Sequence, residues 1–395
     1  MYDNEAKMKV AFVVDKYRRG GVAVVLQVLL QFLVQEGKYD LTLFVRDFDP
    51  KEMRPVPEGV VCRPWPEQLT IKNAFRKSFR EGTDVLWHSF MTVKHFRNFG
   101  KRGISRARCR DQFPGVFDCA IAYHMIPNDV TTVVLEKICA KRKILWLHLK
   151  KNFREKDLPF YDDFYSRADA IVCVSKDTEI NFRRLMPKCA DKVLTIHNMY
   201  NTTEIRNKAL GVAEELEQNP GTIKLVTAAR LNKEKGYERV PGVARKLKDA
   251  GYDFHWYIVG DGDLYMEIEE ALQRDGVTDR VHLLGHRDNP YPYIQQCDIY
   301  VQTSHMEGFC TSTMEAKILY KPVVTTDVQG MREQFADGKN GLIVESSVDG
   351  IFKGIKKMID SPQLREQIVE RLRTEAPHNE RVLAQTRNMI AGTDL

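Results

Sequence analysis

The chain has 395 residues, of which 43% are hydrophobic and 29% are charged, and its formal net charge is +6. This composition is typical of a globular protein and excludes the collagen-like and disordered classes, while the length favours two domains. The longest apolar stretch, residues 22–34, is interrupted by Gln27 and Gln31. Because a membrane-spanning helix needs about 20 apolar residues, none is expected.

Two further features of the sequence predict a cytoplasmic location. The first ten residues, MYDNEAKMKV, contain no apolar core behind their charges, so no signal peptide is expected. The eight cysteines show no C-x-x-C spacing and no neighbouring histidine pair. That pattern predicts reduced thiols rather than disulfides or a zinc site.

The positive charge lies mostly in the first half of the chain. Residues 1–200 contain 35 basic and 24 acidic residues, whereas residues 201–395 contain 25 and 30. Residues 63–110 alone hold 12 basic residues against 3 acidic ones, interleaved with aromatic residues. Such a segment suits the anionic inner face of the cell membrane, a polyanionic acceptor or a nucleic acid, or it is a solvated helix face with aromatic residues in the core. No nucleic-acid-binding module is visible, so no nucleic acid partner is expected.

Strand and helix patterns alternate through the first half. Residues 9–14 have the pattern of a buried strand, and they are followed by Gly20 and Gly21 and then by an apolar-periodic helix that extends to about Gln35. Further strands are predicted at residues 41–45, 119–122, 144–147, 170–174 and 193–196.

After a polar stretch at residues 201–221, the alternation starts again. Strands are predicted at residues 223–228, 254–259, 281–284, 299–302, 323–325 and 342–344. Alternation of this kind is typical of parallel sheets covered by helices on both faces. We therefore expect an α/β structure of two Rossmann-like, doubly wound domains, residues 1–203 and 204–378, that face a cleft. Ligands in such sheets bind beyond the carboxyl ends of the strands.

The loop after the strand at 299–302 carries Glu307 and leads into a helix that carries Glu315. Gly308 would let the backbone approach a ligand closely, and the helix start offers N–H groups to an anion. If the interval were helical, the two carboxylates would lie about 12 Å apart along the axis. A sugar nucleotide has that shape, with a hexose at one end, a ribose diol at the other and a diphosphate between them. Alternatively, Glu307 is a helix cap and Glu315 a solvated helix position.

A second loop, residues 229–236, contains Arg230 and Lys235 at the end of the strand at 223–228. Two cations at the end of a parallel strand suit a diphosphate. The alternative is an ordinary basic surface loop.

The run from Glu307 to Glu315 resembles the E-x7-E signature of retaining glycosyltransferases with the GT-B fold, specifically family GT4. Gly20-Gly21 and the strand that ends in His148 continue the resemblance more loosely, and the first half is similar to members that build capsules, exopolysaccharides or lipopolysaccharide cores. Further blocks in the order and spacing of that family are the A-R-x4-K-G loop at 229–236 and residues 258–262, 281–285, 297–300, 321–327 and 338–345.

The resemblance implies a role for each of the main site residues. Arg230 and Lys235 would neutralise the leaving diphosphate, and Glu307 would hold hydroxyls of the donor sugar. Glu315 would hold the ribose diol, and His148 would hydrogen-bond the donor sugar from the first domain. The C-terminal stretch, residues 379–395, is expected to be a helix that packs back against the first domain.

The resemblance also implies contacts made largely by the backbone. The glycine pair of the first domain would close against the phosphates, the residues after Glu307 would present amides to sugar and phosphate, and the turn at residues 285–287 would lie against the base. These donor-binding residues are Gly20, Gly21, Gly285, His286, Arg287, Gly308, Phe309, Cys310 and Thr311.

The chain departs from the family pattern at two positions. The usual E-G-F-G reads E-G-F-C, which puts the side chain of Cys310 at the sugar pocket, where it is expected to crowd or reshape the pocket. The usual glycine pair after the strand at 323–325 reads Gln329-Gly330, which changes the contacts of that loop.

The sequence Asp261-Gly262-Asp263 has the form of the D-x-D metal motif of the other large glycosyltransferase fold. It follows a predicted strand, so it is interpreted as a tight turn with Asp263 as the N-cap of the next helix. Since Arg230 and Lys235 already supply positive charge, no metal cofactor is expected.

His124 follows the strand at 119–122 and would border the acceptor, or else it is a packed surface residue.

The predicted activity is transfer of a hexose-type sugar from a nucleotide-sugar donor, in the first instance a UDP-sugar, to a glycan or lipid-linked acceptor in cell-surface polysaccharide synthesis. Two alternatives remain at this point: a sugar-nucleotide epimerase or hydrolase of the same fold, and a non-enzymatic partner subunit of a glycosyltransferase complex. The presence of both loop cations and both glutamates favours the enzyme.

Overall fold

The computed structural model divides into two compact units. The first comprises residues 1–174, 179–199 and 380–395, and the second comprises residues 175–178 and 200–379. The described residues are 6–18, 20–66, 113–125, 128–148, 153–217, 219–375 and 379–393. Most of the basic segment at 63–110 therefore lies outside the described residues.

The first unit is built around a seven-stranded parallel sheet with the order β3-β2-β1-β4-β5-β6-β7. Its strands are β1 (Met8–Val14), β2 (Tyr39–Val45), β3 (Val60–Pro64), β4 (Val116–Ala122), β5 (Cys139–Leu147), β6 (Ala170–Cys173) and β7 (Val193–Thr195). Residues 10–14 of β1 are almost completely buried, as expected for a central parallel strand with both faces covered. The strand order changes direction at β1 and β4, which marks the carboxyl edge there as the usual place for a ligand.

In the described residues of this half of the chain, four α-helices lie between the strands. They are α1 (Gly21–Gln35), α2 (Asn128–Glu136), α3 (Leu158–Tyr165) and α4 (Lys176–Leu185). The apolar face of α1 buries Leu26, Leu30 and Leu33 completely. Gly20, immediately before α1, has a φ of 136°, a backbone conformation that favours glycine.

The second unit repeats the arrangement with a six-stranded parallel sheet of order β10-β9-β8-β11-β12-β13. Its strands are β8 (Ile223–Ala228), β9 (Phe254–Val259), β10 (Val281–Gly285), β11 (Ile299–Gln302), β12 (Val323–Thr326) and β13 (Leu342–Val344). Its helices are α5 (Thr202–Lys208), α6 (Val240–Asp249), α7 (Tyr265–Arg274), α8 (Tyr291–Gln296), α9 (Thr311–Ile318), α10 (Met331–Gln334), α11 (Val348–Asp360) and α12 (Pro362–Thr374). The prediction of two doubly wound α/β domains is confirmed.

Large aromatic side chains form the core beneath the carboxyl edge of the second sheet. Trp256 and Tyr237 are completely buried, and each satisfies its polar atom locally. The Trp256 indole N–H donates to Thr227 Oγ1 (3.0 Å), and the Tyr237 hydroxyl donates to the Ala229 carbonyl (3.0 Å). Because buried polar groups are costly when unpaired, these bonds fix the start of the loop that follows β8.

The last helix, α13 (Asn379–Ala391), joins the chain's end to the first unit. Arg142 Nε donates to the Met389 carbonyl (2.8 Å), and Arg387 pairs with Glu36 (3.1 Å). Within the described ranges, every helix is too short or too polar to cross a bilayer.

Candidate active site

Two loops lie against one another at the carboxyl edge of the second sheet: residues 229–236 after β8 and residues 303–310 after β11. Thr303 Oγ1 donates to the carbonyl of Lys235 (2.8 Å). Gly236 has a φ of 66°, and a Cβ there would lie 2.2 Å from the Thr303 carbonyl oxygen. Only glycine allows this close approach, which brings the predicted residues of both loops together.

Lys235 and Glu307 form a buried ion pair. Lys235 Nζ lies 2.7 and 2.9 Å from the two carboxylate oxygens of Glu307, whose side chain is almost fully buried at 4% exposure. Ser304 Oγ (2.6 Å) and Gln302 Nε2 (3.2 Å) also donate to Glu307 Oε1. The carboxylate is therefore fixed in orientation by three donors, two of which the sequence analysis missed.

Lys235 keeps its positive charge in this environment. Burial by itself lowers the pKa of the ammonium group, but the Glu307 carboxylate more than offsets it, and the pKa is raised above its usual value. A buried charge of this kind is stable only while its partner is present. The loop thus presents a fixed cation at the end of β8.

Arg230 occupies the same loop, and its side chain is exposed. Its carbonyl accepts the Asn232 N–H (3.0 Å), and Leu231 beside it is completely buried. The backbone of the loop is thereby anchored at the position that carries the exposed Arg230 side chain.

Glu315 lies in the second turn of α9, and its side chain is mostly buried. The Tyr291 hydroxyl donates to Glu315 Oε1 (3.1 Å). Cys310 is the residue before α9, and its side chain makes no capping hydrogen bond to the helix. Phe309 before it is buried and Thr311 after it is half-buried. The uncapped amino end of α9 offers backbone N–H groups that suit an anion.

The thiol of Cys310 is accommodated inside the protein. Its Sγ lies 3.4 Å from Ser312 Oγ, and its carbonyl accepts the Thr313 hydroxyl (3.1 Å). Burial, and to a smaller extent the Glu307 carboxylate, raises the pKa of the thiol, so it is neutral at physiological pH. An effect of this side chain on the sugar pocket stays a prediction.

The second departure from the family pattern keeps one essential glycine. Gly330 has a φ of 77°, and a Cβ there would lie 2.6 Å from the Gly308 carbonyl oxygen. The loop after β12 therefore packs on the E-G-F segment, and only the first member of the usual glycine pair is replaced, by Gln329.

The turn at residues 285–287 connects β10 to the segment before α8. Gly285 has a φ of 69°, and its carbonyl accepts the Gly260 N–H (2.9 Å). The His286 side chain is exposed, whereas the Arg287 guanidinium is paired with Glu215 (2.8 Å). A nucleotide base at this turn would contact the backbone of the turn and the side chain of His286. The Arg287 side chain would not contact the base, because it is paired with Glu215.

The predicted N-cap role of Asp263 is wrong. Helix α7 begins at Tyr265, the residue before it is Leu264, and no side chain caps it. The cause is the close packing of Gly262, where a Cβ would lie 2.3 Å from the Leu231 carbonyl oxygen. This packing holds the turn against the loop after β8, so the helix starts later. No group of three or more His, Cys, Asp and Glu side chains in the described part of the chain is placed to hold a metal.

In the first unit, His148 directly follows β5 and is 5% exposed. Its ring lies parallel to that of Trp146 (centroids 6.3 Å apart) and against Tyr123 (4.7 Å). Burial, with a smaller contribution from His124, lowers the pKa of the imidazole to about 3, so the ring is neutral. Nε2 is buried and has no hydrogen-bond partner among the described residues. A hydrogen bond between this nitrogen and the donor sugar stays a prediction.

His124 follows β4 and is half-buried, 6.2 Å from the His148 ring. Burial lowers the pKa of its imidazole. Gly20 and Gly21 follow β1, so the residues predicted in the first unit all come at the carboxyl edge of its sheet.

Because His148 is buried in its neutral form, we expect the free energy of unfolding to fall as the pH is lowered. Its folded pKa of about 3 is below the usual 6.5, so its contribution is complete above pH 6.5 and is lost as the unfolded chain takes up the proton at lower pH. From pH 7 to 5, this residue alone should cost about 2 kcal/mol of unfolding free energy.

Urea unfolding at pH 7 and pH 5 measures this loss in the wild type and in His148→Asn. The variant should lose less stability between the two pH values, and the same substitution at the exposed His286 should retain the wild-type difference. An identical pH dependence in His148→Asn and the wild type would contradict the assignment.

Comparisons with known sequences identify relatives of the chain. Residues 213–375 match the family described as Glycosyl transferases group 1. The chain is 28% identical over 264 residues to the N-acetylgalactosamine-N,N'-diacetylbacillosaminyl-diphospho-undecaprenol 4-alpha-N-acetylgalactosaminyltransferase of Campylobacter jejuni, which covers 65% of this chain and 68% of that protein. It is 26% identical over 213 residues to the lipopolysaccharide core biosynthesis glycosyltransferase LpsD of Rhizobium meliloti, covering 54% and 60% of the two chains.

The fold is also similar to that of solved structures. The crystal structure of HepE from Anabaena in complex with UDP superimposes with a TM-score of 0.68 over 98% of this chain and 100% of that chain, at 15% identity. At this identity the likeness concerns the fold alone, and the predicted GT-B fold is confirmed.

Proposed function

We propose that this glycosyltransferase, whose residues 213–375 belong to the group 1 family, moves a hexose-type sugar from a nucleotide-sugar donor to a glycan or lipid-linked acceptor in cell-surface polysaccharide synthesis. The observation that carries the proposal is the buried Lys235–Glu307 ion pair at the carboxyl edge of the second sheet. Helix α9, whose amino end is uncapped, begins four residues after Glu307. A cation, a carboxylate and helix N–H groups together suit a sugar joined to a diphosphate.

Lys235 and Arg230 are assigned to the leaving diphosphate. As the bond to the sugar breaks, negative charge grows on the phosphate oxygen, and a cation already fixed in place stabilises that charge without reorganisation. Lys235 is fixed by Glu307, and Arg230 is carried on the same anchored loop.

The two glutamates are assigned to opposite ends of the donor. Glu307 accepts a hydroxyl of the sugar through Oε2, because the carboxylate has a fixed orientation and Oε2 accepts one bond among the described residues, from Lys235, whereas Oε1 accepts three. Glu315, held by Tyr291, accepts the ribose diol. The backbone amides of Phe309, Cys310 and Thr311 are assigned to the sugar and the phosphate, which lie between these two ends.

The first unit is assigned a share of the donor and most of the acceptor. His148 is neutral, and its Nε2 suits a hydrogen bond from a sugar hydroxyl. The glycine pair before and at the start of α1 allows the backbone to approach a phosphate.

The proposed reaction retains the configuration at the anomeric carbon. The bond from this carbon to the phosphate oxygen breaks, and the acceptor oxygen forms its bond on the same face. The acceptor's proton passes to the departing phosphate oxygen, whose charge Arg230 and Lys235 stabilise. Exclusion of water is required, since an activated sugar would otherwise hydrolyse.

The relatives support the choice of donor and acceptor. The name of the Campylobacter jejuni enzyme describes an acceptor linked through a diphosphate to undecaprenol, and HepE was crystallised with UDP. A UDP-sugar and a lipid-linked or glycan acceptor are therefore the first substrates to test.

The test is a thermal-shift screen with UDP-, GDP- and ADP-sugars, followed by a transfer assay with the stabilising donor and lipid-linked or glycan acceptors. One class of sugar nucleotide should raise Tm, and sugar should appear on an acceptor. Release of free sugar without transfer to any acceptor would indicate a hydrolase instead. Stabilisation by none of the donors would overturn the proposal.

Catalysis is expected to need no metal ion, because Lys235 and Arg230 supply the positive charge that a divalent ion supplies elsewhere. Transfer should continue unchanged after dialysis against EDTA. Complete loss of activity that manganese restores would contradict this expectation.

The basic segment at 63–110 is proposed to bring the enzyme to an anionic membrane surface on the inner face of the cell membrane, on the strength of its composition. The full chain should float with anionic liposomes at low salt and not with neutral ones. Absence of co-migration with anionic liposomes at low salt would remove the proposal.

A further inference from the structure

We propose that α8 and Glu215 together position the nucleoside-binding parts of the donor site. The α8 clamp consists of Glu215, Arg287, Tyr291 and Tyr293, none of which need touch the reacting atoms. The inference rests on the proposed function, because it assumes that a nucleoside diphosphate lies between the turn at residues 285–287 and Glu315.

One half of the α8 clamp is a closed ring of hydrogen bonds. Arg287 donates through Nε to the Tyr293 hydroxyl (3.0 Å) and through Nη2 to Glu215 Oε1 (2.8 Å). The Tyr293 hydroxyl in turn donates to Glu215 Oε2 (2.8 Å). Every member of the ring therefore contacts both others, and the guanidinium has one allowed orientation.

The orientation of Arg287 fixes the turn that is assigned to the base. Its Nη1 donates to the carbonyls of Leu284 (2.6 Å) and His286 (3.1 Å), on either side of Gly285. A guanidinium can hold two carbonyls and two further acceptors at once because its five N–H donors lie in one rigid plane. Arg287 thus acts through the backbone of the turn rather than on a base directly.

The other half of the α8 clamp is Tyr291, two residues before Tyr293 on the same helix. Its hydroxyl donates to Glu315 Oε1 (3.1 Å), the carboxylate assigned to the ribose. Pro292 and Ile294 of α8 are buried, so the helix is anchored by packing. A single short helix therefore holds both the base turn and the ribose carboxylate, and it fixes the distance between them.

Glu215 joins this arrangement from the segment that precedes β8. Ala213 and Leu216 on either side of it are buried, and the Glu217 N–H donates to the Tyr257 hydroxyl (2.7 Å). Hydrogen bonds from Arg287 lower the pKa of the Glu215 carboxyl, so the ion pair is present at neutral pH. The segment is held on the sheet, and its carboxylate is a fixed point for the ring.

The experiment measures binding of UDP, GDP and ADP, and of inorganic pyrophosphate, by calorimetry. Tyr293→Phe removes both hydrogen bonds of the Tyr293 hydroxyl. Glu215→Gln replaces one of the two carboxylate oxygens in the ring by an NH2 group, with little change in side-chain size. Each should weaken the preferred nucleoside diphosphate about tenfold, the expected effect of hydrogen bonds to a charged group. Because the three side chains of the ring act together, the double variant should bind the nucleoside diphosphate with nearly the same affinity as the single variant that binds it less tightly. Affinity for pyrophosphate and kcat at saturating donor should stay within twofold of the wild type.

Tyr252→Phe is the matched control, since the Tyr252 hydroxyl also donates to a carboxylate, Asp360 (2.8 Å), elsewhere in the same unit. It should bind nucleotides as the wild type does. Unchanged nucleotide affinity in Tyr293→Phe and Glu215→Gln would overturn the inference and leave the proposed function standing. An equal loss of pyrophosphate affinity would also overturn it, because the effect would then be a general distortion. A wild type that binds none of the three nucleoside diphosphates would overturn both.

Discussion

Replacing Lys235 by alanine is expected to lower kcat about a thousandfold while the protein stays folded. Two effects add in the same direction. The departing phosphate loses the cation that stabilises its growing charge, a contribution of this order for a preorganised group. Glu307, almost fully buried, loses the ammonium group that lies 2.7 Å away and can no longer be held in the same orientation. The measurement is kcat at saturating donor and acceptor, with circular dichroism to verify the fold.

Lys224→Ala is the matched control for this variant. Lys224 lies at the amino end of β8, its side chain is 23% exposed against 20% for Lys235, and it faces Asp298 at 3.9 Å. Loss of this lysine should leave kcat unchanged, because it lies at the other end of the strand. Arg230→Ala should lower kcat in the same direction as Lys235→Ala. Near-normal turnover in Lys235→Ala would be incompatible with its role at the leaving group.

The strands could be predicted from the sequence because burial on both faces demands continuous apolar runs. Strands β1 and β8 are examples, and both are central in their sheets. The edge strand β3 (Val60–Pro64) escaped prediction because three of its five residues are exposed or carry polar side chains, which gives no apolar pattern. Helix α5 (Thr202–Lys208) was not predicted for the same reason: Ile205 is its one buried residue, so its sequence shows no apolar periodicity.

The site was predicted in its charged residues and missed in the residues that orient them. Lys235 and Glu307 stand in recognisable loops, and the structure brings their side chains together. Gln302 and Ser304 gave one usable signal. They are polar residues at and just beyond the end of a buried strand, where a polar side chain requires a hydrogen-bond partner. Glu215 gave none, because its partners lie more than 70 positions along the chain and only the packed sheet makes them neighbours.

Glu307→Gln is expected to lower kcat at least a hundredfold and to reduce stability by about 3 kcal/mol, as when one partner of a buried ion pair is removed. The amide has nearly the same shape, but its NH2 group would face Lys235 Nζ or the donors at Ser304 and Gln302, all of which point N–H or O–H groups at the present carboxylate. The side chain must then rotate, and the sugar hydroxyls lose a charged acceptor. Transfer kinetics and urea unfolding measure the two effects separately.

Glu179→Gln separates loss of a buried carboxylate from loss of catalysis. Glu179 in the first unit is 3% exposed and accepts from Arg183 (2.8 Å) and from the Thr195 hydroxyl (2.5 Å), so its removal carries a comparable stability cost. Its variant should unfold earlier in urea yet turn over normally per folded molecule. If Glu307→Gln instead lost only stability and kept wild-type kcat, the carboxylate would be a structural partner of Lys235, and recognition of the sugar would have to come from the amides at the start of α9.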